Sequence, residues 1–195
     1  MAQISYVRAS KDSLLLLLGI VEEGESRRYT ISEAVYSSIG SPTVHSTLGS
    51  REMAVVKYAD ELYRAEKKAL SLLAFSDNNH RTLCAKLARA GFSREVAEEI
   101  AEKMVKLGYI NEQRQLERLI LNEANYKLRG PLKITPYLVS RGYSSGEVRL
   151  VMSELIERGE LDFKENARRL IEKKLGGGAT DEDKKTLLYR NGYKI

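Results

Sequence analysis

A glycine followed by an aromatic residue recurs along this chain at a nearly constant interval, and few architectures accommodate that pattern. Lys86-Leu87-Ala88-Arg89-Ala90-Gly91-Phe92-Ser93 returns as Tyr137-Leu138-Val139-Ser140-Arg141-Gly142-Tyr143-Ser144, and again as Leu187-Leu188-Tyr189-Arg190-Asn191-Gly192-Tyr193. The glycines stand 51 and 50 positions apart. The same offset of 51 lays Leu83 on Ile134, Ile100 on Val151, Met104 on Leu155, Val105 on Ile156 and Gly108 on Gly159. Apolar residues falling on apolar ones, and glycines on glycines, mark an internal repeat of about 50 residues. Glycine reaches the left-handed conformation that closes a helix at little cost, so each unit is expected to end a helix there, with the aromatic packing back. The expected fold class is mainly α, a helical repeat protein.

The segments between these landmarks fill in the rest. The apolar run from Ser13 to Val21 suits a buried strand, Glu22-Glu23-Gly24-Glu25 a reversal, and Arg27 to Ile31 a returning strand with Tyr29 and Ile31 on one face. This small N-terminal β-hairpin is extended by a third strand at Ile4–Val7. The spacing of Thr30 and Glu33 fits a capping box for a short helix that ends at Gly40-Ser41-Pro42. Ser50 is placed to cap a long helix reaching about Phe75, with Met53, Val56, Ala59, Tyr63, Ala69, Leu70 and Leu73 inward. Asn79, Ser93, Asn111 and Asp162 suit further N-caps, Gly130-Pro131 a helix start, and Thr180 with Asp183 the last N-terminus. Leu107 and Ile156 continue the inward rows of their helices. The helix opening at Asn111 should run to about Leu128, and Gly176-Gly177-Gly178 forms a joint before the last helix. The resulting division is residues 1–63 as the β-hairpin and helix segment, 64–110 and 111–161 as three-helix repeats 1 and 2, and 162–195 as an incomplete repeat 3.

Charge is uneven along this division. Residues 1–63 carry six Lys/Arg against eight Asp/Glu, whereas residues 64–195 carry 26 against 19. The repeats are the basic part, which favours an acidic partner surface or a phosphate backbone. Arg81, Lys86 and Arg89 lie on the second helix of unit one, Lys133 and Arg141 on that of unit two, and Lys184, Lys185 and Arg190 on that of unit three. Similarly placed cations on stacked repeats would form a positive strip able to follow a filament groove or a nucleic-acid backbone, and these eight residues are the candidate partner-binding set. Ordinary solvent exposure explains any one of them equally well. The tyrosines at 109, 126, 137, 143, 189 and 193 offer stacking surfaces, although helix-end and core positions point to packing.

Other chemistry is unsupported. His45 and His80 are far apart in sequence and lack a glycine-elbow serine, and the chain contains no P-loop, GxGxxG, CxxC or HExxH. The Asp181-Glu182-Asp183 run reads as the acidic first turn of a helix rather than a metal site. No catalytic residue, metal or cofactor is assigned. The single cysteine, Cys84, excludes an internal disulfide, fits a reducing compartment and reads as a buried structural thiol. The run beginning at Leu14 is too short to cross a membrane and lacks a signal-peptide cleavage site, so a cytoplasmic protein, monomeric and without membrane contact, is expected.

The residues resemble those of the RecX regulatory proteins, which modulate the RecA recombinase. The likeness rests on Ala69-Leu70-Ser71-Leu72-Leu73, on Leu83 and Leu87 leading to Gly91-Phe92, on Gly108-Tyr109-Ile110-Asn111-Glu112, and on Gly130 with Ile134, Leu138 and Gly142-Tyr143. It covers residues 64–161 well and the last 34 residues more weakly. Thr82 stands where the family often has glutamate, and Asn111-Glu112 where it usually has two aspartates. The resemblance implies tandem three-helix repeats in an elongated, curved array and a non-enzymatic role. Such a protein would lodge in the groove of a RecA–DNA filament and depress strand exchange, ATP hydrolysis and coprotease function. Two other readings stand beside it: a helical protein that meets DNA phosphates directly, and an accessory subunit that uses its repeats for another partner.

Overall fold

Each of the three repeated glycines closes a helix, and each does so with the same backbone geometry. The computed structural model describes residues 2–10, 14–175 and 178–194. Gly91, Gly142 and Gly192 have φ of +93°, +100° and +84°. They end α3 (His80–Arg89), α6 (Pro131–Ser140) and α9 (Asp181–Arg190), each ten residues long. The amide of the following aromatic then donates back to a leucine carbonyl: Phe92 to Leu87 at 3.3 Å, Tyr143 to Leu138 at 3.3 Å, and Tyr193 to Leu188 at 3.0 Å. This is the Schellman closure that a left-handed glycine permits. Tyr143 and Tyr193 are buried, so the ring anchors the turn its amide completes.

The helices after α3 and α6 correspond as well. Ser93 and Ser144 cap α4 (Arg94–Lys106) and α7 (Ser145–Glu157), both thirteen residues, and the left-handed glycines Gly108 and Gly159 follow them. The fold is mainly α and built from helical repeats, preceded by a small antiparallel sheet.

The chain divides into two compact units. The first comprises residues up to Asn78 together with Leu83–Leu107; the second comprises Asn79–Thr82 and the chain from Gly108 onward.

In the first unit, β1 (Ala2–Ala9), β2 (Leu15–Glu22), β3 (Glu25–Ser32) and β4 (Thr47–Leu48) form one antiparallel sheet in the order β3-β2-β1-β4. The expected hairpin is therefore part of a larger sheet, with Glu23 and Gly24 in left-handed conformations at its turn. Gly19 is required because a side chain there would collide with the Tyr6 ring on the paired strand. The sheet closes a core of Ile4, Leu18, Ile20, Tyr29, Ile31 and Leu48 with Met53 and Val56 of α2 (Ser50–Phe75). Asp60 ties the layers together, accepting from the Thr30 amide and from Arg64 Nε, both at 2.8 Å.

In the second unit, α5 (Glu112–Leu121) passes into a single wide π-turn at Asn122–Tyr126. With α6 and α7 it surrounds a core of Leu116, Ile120, Ala124, Ile134, Leu138, Val148, Val151 and Leu155. A second cluster, Leu128, Leu170 and Tyr193, joins α8 (Phe163–Lys174) to the end of α9. There the Tyr193 hydroxyl donates to the Leu128 carbonyl at 3.1 Å. Burial pushes that phenol up to about 12.

Several local expectations need correction. Ser32, not Thr30, caps the short helix α1 (Glu33–Ser38), because β3 continues through Thr30. Gly49 is the N-cap of α2, and Ser50 is its first residue. Leu70, Leu107 and Ile156 are exposed rather than inward: each flanks the apolar stripe of its helix, and smaller or better centred residues such as Ala69 and Leu155 fill the core. The helix expected to reach Leu128 as a regular α-helix widens at Asn122, which turns Glu123 and Ala124 into the interior. Ser13 and the joint residues Gly176 and Gly177 lie outside the described residues.

Candidate interaction surface

Within the second unit, α6 is held by hydrogen bonds at both of its ends. The Gly130 amide, at the N-terminus of α6, donates to the Asn191 carbonyl at 2.8 Å, and the Leu132 amide to the Gly192 carbonyl at 3.0 Å. The unsatisfied first-turn donors of α6 are thus met by the last carbonyls of α9. At the other end of α6, Asn79 Nδ2 donates to the Arg141 carbonyl at 3.0 Å, while Asn79 Oδ1 accepts from the Thr82 amide and caps α3. Glu112 completes that cap, accepting from the His80 amide at 2.8 Å. One asparagine side chain therefore serves the C-terminus of α6 and the N-terminus of α3.

These joints sort the eight candidate cations. Arg81 and Arg141 are neighbours, since a methyl group on Gly142 would lie 3.4 Å from Arg81 Cδ. Lys133 packs against Gly192, two residues beyond Arg190. Arg81, Arg89, Lys133, Arg141, Lys185 and Arg190 are exposed. Lys86 is half-buried and donates to Ser76 Oγ at 3.3 Å, and Lys184 pairs with Asp181 at 2.9 Å. Lys86 and Arg89 belong to the first unit and the other six to the second. The acidic turn of α9 is occupied by its own helix: hydrogen bonding from Lys184 holds the Asp181 carboxyl low, and bonding to Thr180 does the same for Asp183.

A tighter cluster was missed from sequence. The Tyr137 ring has Arg141 at 4.9 Å and Lys127 and Arg129 each at 5.8 Å from its centroid. Lys127 and Arg129 also grip the fully buried carboxylate of Glu123, at 2.6 and 2.5 Å. Cations over an aromatic face are attracted by its quadrupole, and the buried carboxylate fixes two of them in place. Arg141 has no carboxylate partner among the described residues. The pairing of Tyr137 with Arg141, four apart on a helix, was visible in the spacing. The contribution of Lys127 and Arg129 depends on the π-turn and on Leu128, whose φ is +54°, and neither has a sequence signature.

No family model matches the chain. A regulatory protein RecX of Halorhodospira halophila is 29% identical over 130 residues, 64% of this chain and 78% of that protein. Regulatory protein RecX of Stenotrophomonas maltophilia is 28% identical over 110 residues, covering 56% of this chain and 64% of the relative. The chain is similar in sequence to the RecX regulatory proteins. A crystal structure of a regulatory protein RecX superposes with a TM-score of 0.71 at 18% identity, covering 100% of this chain and 95% of the RecX chain, which places the fold among RecX structures. Among the described residues, no helix is long and apolar enough to cross a membrane.

Proposed function

We propose that this chain is a non-catalytic regulatory protein that acts on the RecA recombinase, binding the RecA–DNA filament in its groove and depressing strand exchange, ATP turnover and coprotease function. The observation that carries the reading is the match to RecX regulatory proteins over 130 residues, on a chain whose helical repeats hold the same glycine-closed turns. The exposed cations of α6 and α9 and of the first turn of α3 suit an acidic assembly, because exposed charge steers association while contributing little to folding. The protein acts in the cytoplasm as a monomer and needs no cofactor.

The test is RecA-dependent ATP hydrolysis on single-stranded DNA. Substoichiometric amounts of the chain are expected to slow turnover. Unchanged turnover at equimolar protein would overturn the reading. A second reading, direct binding of nucleic acid, is favoured by Tyr189, 72% exposed beside Arg190, a pair suited to stacking and phosphate contact. Tight binding to free DNA with a steep salt dependence, matching the affinity for filaments, would select it.

A further inference from the structure

The start of α3 carries a group of side chains that the filament reading leaves unused. His80 and Cys84 stand four apart, so the helix itself sets both on one face. Within the first unit, the Cys84 sulfur donates toward Glu98 Oε2 of α4 and toward the Ala97 carbonyl, each at 3.6 Å. A ring nitrogen of His80, the Cys84 sulfur and a carboxylate oxygen of Glu98 all lie within 4.8 Å of one another. His80 and Cys84 are half-buried and Glu98 is exposed, so the group is partly shielded yet open on one side. Glu98 also lines a groove with Glu95, Glu99 and Glu102, and Arg94 is the one cation among its described lining residues. That surplus of carboxylates favours a cation. The partial positive charge at the N-terminus of α3 opposes one, and Glu112, which accepts from the His80 amide at 2.8 Å, offsets it.

We propose that His80, Cys84 and Glu98 bind a zinc ion, with water in the fourth position. The donor set selects the metal. Magnesium and calcium take oxygen ligands, whereas a thiolate, an imidazole and a carboxylate together suit a borderline-soft ion. Tetrahedral zinc with its usual bond lengths holds its ligand atoms about 3.4–3.6 Å apart. Sulfur and carboxylate already stand at that distance, and the widest separation in the group closes by at most about 1.4 Å. Rotation about the side-chain bonds of His80 and Glu98 covers that distance. On binding, the thiol proton passes to solvent and the ion takes its place between sulfur and carboxylate. Three protein ligands and one open position differ from the closed four-ligand sites on which small folds depend. The chain therefore folds without the ion, which braces α3 against α4 once bound. The site stands apart from the RecA reading, which does not need it.

The test uses the full-length chain, freed of metal with a chelator that is then removed, and kept reduced. Zinc is titrated against a chromophoric chelator, and cobalt(II) serves as a coloured stand-in. One equivalent of zinc per chain is expected, and the cobalt form should show the near-ultraviolet charge-transfer band of a metal thiolate. Cys84→Ser should abolish that band. Cys84→Ser, His80→Ala and Glu98→Gln should each weaken zinc binding by at least about tenfold, because even lost outer-shell partners cost about 10–100-fold. His45→Asn removes the other histidine at an exposed site, and asparagine tolerates the left-handed backbone there. It should bind zinc like the unaltered chain. Zinc should raise the melting temperature of the unaltered chain and of His45→Asn, and leave that of the three ligand variants where it was. Glu98 is exposed, so Glu98→Gln keeps the fold and decides the matter where circular dichroism shows another variant unfolded. A cobalt spectrum without the thiolate band, or a zinc affinity that Glu98→Gln leaves unchanged, overturns the site.

Discussion

Cys84 shows how little its identity says without its surroundings. Its sulfur lies half-buried on α3, donating toward the Ala97 carbonyl at 3.6 Å, with Glu98 nearby. Burial, and then the Glu98 charge, push the thiol from its usual 9.0 up to about 11. A raised value means less thiolate at neutral pH, and thiolate is the reactive form. At pH 8 alkylation by iodoacetamide should therefore run about a hundredfold slower than for a free cysteine, and its rate should still be climbing at pH 10. A rate that levels off near pH 9 would show an ordinary, accessible thiol. Cys84 is half-buried rather than buried as the sequence suggests, while Leu83 and Leu87 on the same helix are fully buried.

The repeated glycines are alike in backbone and unlike in surroundings. A methyl group on Gly91 would meet nothing within 4 Å, whereas one on Gly192 would lie 2.7 Å from the Lys133 amide nitrogen. Gly91→Ala should therefore cost only the strain of a left-handed alanine, ~1–2 kcal/mol. Gly192→Ala should cost ~1–3 kcal/mol more, because the backbone of α6 must move. Urea unfolding of the two variants checks the order, and equal losses would mean that the joint between α9 and α6 is not tight. Elements of this kind were legible in the sequence because glycine, a cap residue and a 3.6-residue apolar beat each leave a local mark. Asn79, Ser93, Asn111, Asp162 and Thr180 all cap the helices expected of them. The π-turn, the second role of Asn79 at Arg141 and the grip of Glu123 on two cations leave none, since each depends on residues brought together by tertiary packing. That is why the cations could be named individually while the cluster around Tyr137 could not.

At the scale of the whole molecule, the division of charge matters more than any single pair. The first 63 residues are mildly acidic and the remainder is basic, so in the function proposed above the helical repeats would carry the attraction for an acidic assembly. Reversing Arg89, Lys133 and Arg141 together to glutamate should weaken filament binding. The melting temperature should move by no more than about 2–4 °C, because exposed charges contribute less than about 1 kcal/mol to folding. Binding that survives this triple change would remove these cations from the partner surface, and a collapse in melting temperature would mean that they serve the fold. The ten residues of α6 separate its two glycine joints by about 15 Å. Inserting one residue would swing one joint about 100° around the other, whereas adding a full turn nearly restores the phase. The helix thus behaves as a gauge block: its outer surface can be recut residue by residue, but its length changes only in whole threads.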